Sequence, residues 1–597
     1  MGFCGWFGKT LRVNLSTGII TEENIGQKVL SDWIGGRGIG AWVVAGEVPA
    51  CCDPLGEENK LVFATGPLTG AGVPGAGRFS ASAKSPLTGT ILDSNAGGRW
   101  GIRLKKNGYD MLIIEGTSAG PVYLKIEEGT ASLHEAGDLW GADVRETNDK
   151  LKDKLGNETS IACIGPAGEN LVKFASVMND GHRALGRGGL GAVMGAKKLK
   201  AVAAKGSRKV EVANKEKFDF MIYEAGKWLK ANPITSQGLP EFGTPVLVKL
   251  FNALGVFPTR NFQGSQYPDA LNISGETIAE LMTAGRKGCY GCPVQCARLL
   301  KTKTGTTLGP EYESIWALGP ECGIGDLDTI VEANHLCNQL GLDTVSTGVT
   351  IGCTMELEEK GIFNTGLSFG DTTGMLRAIK QIAYREGDGD LLAEGSRRLA
   401  ERCGAGQYAM QVKGLELTAY DPRGLQGMGL GFATSNRGGC HLRAYMAGPE
   451  ALGVPKMVDR FSAGGKAGLT ITQQNVSAAI DSLIACRFIN LAVSEEYFAR
   501  ILSAVTGVDY QTQDLHRIGE RIWNLERLFN LREGFDCSHD TLPPRLLEEP
   551  IQEGPSSGSV VELKPMLEEY YRFRGWNESG VPSPGKLREL GLEDFKC

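Results

Sequence analysis

The sequence predicts an α+β protein in which a β-rich first domain is followed by two mostly helical ones. Two observations carry this. Apolar residues alternate in short runs through the first ~205 residues, which is strand patterning. From about Lys215 they recur at helical spacing to the C-terminus. The length, 597 residues, allows three or four domains at roughly 100–200 residues each. The boundaries are expected at 1–208, 209–411 and 412–597.

Within the first domain, Thr10–Leu15 alternates, turns at Ser16-Thr17-Gly18 and resumes at Ile19-Ile20. Thr90–Leu92, Tyr109–Glu115, Val122–Ile126, Ser160–Cys163 and Leu199–Ala204 are further apolar strands. Asp143–Leu155 interrupts them as a charged helix. Beyond Lys215 the amphipathic helices are Phe218–Leu229, Asp326–Leu340, Leu391–Arg402 and Ile518–Leu531. Loops containing Pro, Gly or Ser separate them, as at Gly255–Tyr267 and Glu549–Ser559.

Composition excludes several classes. A net charge of −6 argues against a nucleic-acid binder, which carries a basic stripe for the phosphate backbone. No run of ~18 apolar residues is present, so no membrane span is expected. Met1-Gly2-Phe3-Cys4-Gly5-Trp6 lacks the basic and apolar regions of a signal peptide, and the expected location is the cytoplasm. The 83 glycines are about twice the ~7% background. They cluster as in Gly35-Gly36-Arg37-Gly38, which implies tight turns and close backbone approach to something large. The 15 cysteines read as thiols or metal ligands in such a chain.

Cys289-x-x-Cys292-x-x-x-Cys296 lies in a Gly-rich loop. Three thiolates this close bind three corners of a cubane iron–sulfur cluster, with a fourth ligand from elsewhere. Zinc is the rival, but it normally pairs a two-residue gap with a second distant pair. Spacing leaves the fourth ligand open among Cys322, Cys337, Cys353, Cys403, Cys440 and Cys486. Three Gly–Arg loops add a second theme: Pro74-Gly-Ala-Gly-Arg78, Asn95-Ala-Gly97-Gly98-Arg99 and Asn179–Gly189. Glycine exposes backbone N–H groups to an anion, and Arg supplies a fork for phosphate. Together they point to a phosphate-bearing cofactor. None is a Walker loop or a dinucleotide fingerprint.

These loops, with Gly309-Pro-Glu-Tyr-Glu313-Ser, Leu340-Gly-Leu-Asp343-Thr, Tyr420-Asp-Pro-Arg-Gly424 and Arg437-Gly-Gly-Cys-His441, resemble in order the signatures of the tungsten-containing aldehyde:ferredoxin oxidoreductases. The resemblance runs from Lys9 to about Gly591. It implies a tungsten or molybdenum atom held by two pterin dithiolenes with no protein ligand. Arg78, Asn95, Gly97, Arg183, Ala184, Gly186 and Arg187 match positions around the pterin phosphates and their bridging Mg2+. Leu342 and Asp343 match contacts to one pterin, with Asn338 where the family pattern has Asp. Asp481 and Arg487 match contacts to the other, and Arg437, Arg443 and Ala485 complete the implied set. By the same match Cys486 closes the [4Fe-4S] cluster of Cys289, Cys292 and Cys296. Glu313 and His441 match the residues acting beside the metal, a carboxylate to take a proton and an imidazole to polarise the carbonyl.

The function so implied is the reversible oxidation of a small aldehyde to its acid, with electrons passed to ferredoxin or an iron–sulfur partner subunit. A second reading keeps the fold and makes the chain the tungstopterin subunit of a benzoyl-CoA type thioester reductase complex. A third is a zinc-bearing scaffold protein. Glu332-x-x-His335 shares a helical face, where some relatives of this kind carry an inter-subunit iron. No histidine lies between His335 and His441 to complete such a site, so homodimer and hetero-oligomer both stay open.

Overall fold

The computed structural model describes residues 4–302 and 305–595. Twelve strands form the N-terminal region: β1 Lys9–Asn14, β2 Ile20–Asn24, β3 Leu61–Ala64, β4 Phe79–Lys84, β5 Ile91–Ala96, β6 Met111–Glu115, β7 Val122–Glu127, β8 Thr130–Glu135, β9 Ser160–Cys163, β10 Val177–Asn179, β11 Arg183–Leu185 and β12 Leu199–Lys205. They make two six-stranded sheets, ordered β2-β1-β6-β3-β4-β5 and β11-β10-β9-β12-β7-β8. Pairing is antiparallel except for β1 with β6 and β12 with β7. Leu11, Phe63, Phe79 and Leu112 of the first sheet meet Leu124, Ala162 and Val202 of the second in one core. Trp100 is fully buried between them and donates from Nε1 to the Val202 carbonyl at 2.8 Å. β3 and β4 are buried on both faces, which is why they read as unbroken runs of small and apolar residues rather than as alternation.

The outer face of the first sheet is covered by helices from both ends of the chain. Helix α1 Gly36–Glu47 packs on β3, β4 and β5, and against α5 Lys466–Leu483 and α6 Thr512–Arg532. Between the last two, Gly519 lies so close to the Asn475 backbone that a Cβ would sit 2.0 Å from its carbonyl oxygen. Three further helices frame the centre of the molecule: α2 Tyr312–Leu318, α3 Leu327–Leu340 and α4 Thr344–Glu359. One buried core runs from Val248 through Cys440 to Trp576 and so crosses position 412. Among the described residues no helix is long and apolar enough to cross a membrane.

Two expectations need correction. Leu391–Arg402 is two short helices, Gly389–Leu392 and Ser396–Arg402, because Gly395 takes φ +89° between them. The region after Lys215 is also not uniformly helical. Thr283–Lys287, Ala297–Thr302 and Gly305–Leu308 form a three-stranded antiparallel sheet, and Gln411–Val412 pairs with Leu415–Glu416. The first of these strands, Thr-Ala-Gly-Arg-Lys, carries no apolar alternation to reveal it.

Candidate active site

A cavity of about 860 Å³ opens where the Gly–Arg loops, the cysteine loop and the framing helices meet. The cysteine loop joins the first two strands of the three-stranded sheet, so a hairpin carries Cys289, Cys292 and Cys296 to the cavity wall. Cys486, at the N-cap of a short helix after α5, reaches the same wall, and its N–H is tied to the Gly75 carbonyl at 3.0 Å. Gly97 packs against the hairpin: a Cβ there would lie 2.4 Å from Cys289 Sγ. Burial, then the charges of Cys486 and Cys289, push the Cys292 thiol up to about 11. Cys296 is raised further by burial, Glu311 and Cys486. Four thiols lining one cavity, with Cys486 and Cys289 raising Cys292 and Cys296, fit a strong cation that would hold them as thiolates. Among the described residues no three His, Cys, Asp or Glu side chains converge as ligands of a single ion. The chemistry of the four thiols, one for each corner, fits a polynuclear cluster.

Arg78, Asn95, Gly97, Arg183, Ala184 and Gly186 line the cavity beside the cysteines. Arg78 donates from Nε to Asn95 Oδ1 at 2.8 Å and from Nη2 to the Asn95 carbonyl at 2.9 Å. Asn95 Nδ2 and Arg183 Nη2 are buried without a partner among the described residues. Buried unpaired donors are costly, and two beside a Gly-lined wall fit an anionic group such as a pterin phosphate. Asn338, Leu342, Asp343 and Arg487 also face the cavity.

Other expected contacts are engaged within the protein. Arg187 donates to Asp343 Oδ2 at 3.2 Å, the Gly439 carbonyl at 2.9 Å and the Glu416 carbonyl at 2.7 Å. Asp343 caps α4 and accepts from Val345 N and Ser346 Oγ. Arg437 donates to the Asp93 carbonyl at 2.5 Å and contacts Cys440 Sγ at 2.8 Å. Arg443 binds Asp93 Oδ1 at 2.6 Å and Asp481 Oδ2 at 3.1 Å. Ala485 is buried. These residues form a packed layer around the cavity. Arg99 points away from it into a separate surface hollow. His335 pairs with Thr307 at 3.0 Å, and Glu332 is exposed.

Glu313 lies in the first turn of α2 and His441 in the loop after Arg437. Glu313 Oε1 stands 3.3 Å from His441 Nε2, and Oε2 accepts from the Ala419 N–H at 3.0 Å. The distance alone reads as an ion pair, but the surroundings argue for two neutral groups. Burial raises Glu313 to about 8, against smaller lowering by the Ala419 N–H and Arg187. Burial, Arg187 and Arg437 hold His441 well below its ordinary value. Glu313 Oε1 and His441 Nδ1 lack hydrogen bonds among the described residues, so both are available to a bound molecule. Tyr420 and Tyr445 pack on the imidazole with centroids 5.2 and 6.1 Å away. Their role was not assigned from sequence, although Tyr420 stands in one of the motifs. Asp93 was also missed; burial opposes its ionisation, yet Arg443, Arg37 and Arg437 hold it below the usual carboxylate range.

Residues 10–206 match the N-terminal domain model of aldehyde ferredoxin oxidoreductase, and residues 221–592 match the model of its domains 2 and 3. The chain is 48% identical over 602 residues to a tungsten-containing aldehyde ferredoxin oxidoreductase of Pyrococcus furiosus, covering 99% of this chain and 100% of the relative. The counterpart in Thermococcus kodakarensis is 47% identical with the same coverage. The fold also matches the active-site complex of a benzoyl coenzyme A reductase bound to 1,5-dienoyl-CoA, at a TM-score of 0.87 and 24% identity, over 99% of this chain and 98% of that one. At that identity the likeness is one of fold. The chain belongs to the aldehyde ferredoxin oxidoreductase family.

Proposed function

We propose that this protein oxidises aldehydes to carboxylic acids at a tungsten–bis-pterin centre seated in the cavity, and that ferredoxin takes the electrons. The observation that carries the reading is the pairing of Glu313 with His441 at 3.3 Å on a wall shared with four cysteines. The reaction balances as RCHO + H2O → RCOOH + 2 H+ + 2 e−. Arg78, Asn95, Gly97, Arg183, Ala184 and Gly186 would hold the pterin phosphates and Mg2+, with Asn338, Leu342, Asp343 and Arg487 against the rings. Cys289, Cys292, Cys296 and Cys486 would hold a [4Fe-4S] cluster. When bound, the tungsten–pterin group supplies the two-electron sink that no side chain here offers.

The side chains manage protons and orientation. Glu313, once ionised, takes the proton released as water adds to the carbonyl. The Ala419 N–H fixes one carboxylate oxygen and leaves Oε1, beside His441 Nε2, without a hydrogen bond among the described residues. Neutral His441 donates a hydrogen bond to the oxygen on which charge develops. Tyr420 and Tyr445 hold the imidazole plane, and Phe242, Leu247 and Leu250 give one part of the cavity wall an apolar lining for the aldehyde's R group.

Purified anaerobically, the protein is expected to carry about four irons and one tungsten per chain. The variants Glu313→Gln and His441→Asn should lose about 10²–10⁴-fold in aldehyde oxidation at unchanged metal content. Zinc in place of iron and tungsten, or full activity in both variants, would overturn the proposal.

A further inference from the structure

Behind the cysteine hairpin lies a second hollow, on the outer surface, of about 280 Å³. Its floor includes Gly288 and Tyr290, the residues flanking Cys289, and Arg183 and His182 line both this hollow and the main cavity. The hairpin is at the surface here: Tyr290, Gly291, Pro293 and Gln295 are exposed. The hollow therefore marks where the cysteine-bearing loop meets solvent.

Its charge runs against that of the chain. The protein carries a net −6, yet Arg99, Arg103, Lys152, Arg183 and Lys287 gather around this opening. Two acids share the wall with these five cations. Glu158 accepts from Arg103 at 2.7 Å, and Asp180 accepts from the Arg99 N–H at 2.9 Å and from Ser160 Oγ at 2.5 Å. Arg99, Lys152 and Lys287 make no ion pair among the described residues. A one-sided cluster of unpaired cations on an acidic protein attracts an anionic surface and speeds its encounter.

We infer that this basic hollow is the docking face for an acidic one-electron iron–sulfur protein, seated against the Gly288–Gln295 loop. The inference rests on the aldehyde-oxidising reading, which releases two electrons per aldehyde; each docked carrier molecule takes one, so two docking events complete a turnover.

The test is direct binding of an acidic bacterial-type ferredoxin to the metal-loaded protein by calorimetry. The double variant Arg99→Glu/Lys152→Glu should weaken binding about tenfold or more, and raising salt from about 50 to 300 mM should weaken the wild type similarly. Lys564→Glu, on an exposed site outside the hollow, should leave Kd within about twofold. Equal Kd values for the wild type and the double variant, or an equal loss in the Lys564 variant, would overturn the docking face. Aldehyde oxidation with a small viologen acceptor is measured in parallel and should be the same in all three proteins. Its absence from the wild type would sink the proposed reaction, whereas ferredoxin binding reports on the docking face alone.

Discussion

The Glu313–His441 pair works only in one ionisation sequence, and that makes it testable by pH. A carboxyl group raised to about 8 by burial is an acid at neutral pH, so the base is scarce there and becomes abundant above. For an aldehyde that does not itself titrate, kcat/KM is expected to climb with pH toward about 8 and then level off. Glu313→Gln should lose that rise along with most of the rate. Stability supplies an independent check. The folded state holds the Glu313 proton more tightly than the unfolded chain does, so its stabilising contribution is complete below the ordinary value near 4.5 and is lost as pH rises through about 8. The melting temperature of Glu313→Gln should therefore gain on that of the wild type across this window; a constant difference would refute a raised carboxyl. The identity of both residues was legible through the motifs around them. Their environment was not, because the Ala419 N–H and Arg187 that help set it come from other stretches of the chain.

At the scale of elements, sequence spoke clearly wherever a local rule decides the structure. Asp143 and Asp326 cap the helices they open, accepting from Glu146 N and Thr329 N at 2.8 and 2.9 Å, and the strand predicted at Ser160–Cys163 has those bounds. It was silent where tertiary contacts decide. The strand that enters the cysteine loop, Thr283–Lys287, is short, polar and half exposed, and what fixes the loop is its fit against the N-terminal region, not a propensity of its own. Gly97 is the point of that fit. Gly97→Ala puts a methyl 2.4 Å from Cys289 Sγ, a clash with a side chain anchored by a short loop. Iron per chain should fall by about half or more with helix content unchanged, since contacts this close force the neighbour to move. Gly26→Ala, where a Cβ meets nothing within 4 Å, is the matched control. Full iron in Gly97→Ala would show that the hairpin yields without losing its ligand geometry.

Across the whole molecule, buried charges join the two ends of the chain. Arg37 opens α1 and grips Glu526 of α6 through two 2.7 Å bonds, with Asp93 and Asp481 each 3.5 Å away. Glu526 also accepts from Asn436 at 3.1 Å, five residues before His441. The first sheet, the C-terminal helices and the His441 loop are thereby held in one register around the cavity. A single core crosses position 412, where the sequence suggests a boundary: residues on either side bury their apolar side chains in it together. Arg37→Met leaves Glu526 buried beside other carboxylates without its main partner, and removing one member of such a pair costs about 3–5 kcal/mol. The double variant Arg37→Met/Glu526→Leu leaves Asp93 to Arg443 and no orphaned charge at Glu526, so it should recover much of that loss. The readout is the urea midpoint of metal-loaded protein. A double variant as unstable as the sum of the two single changes would mean that the pair sustains the packing through its shape. Recovery would mean that the charges chiefly fix how the ends of the chain meet.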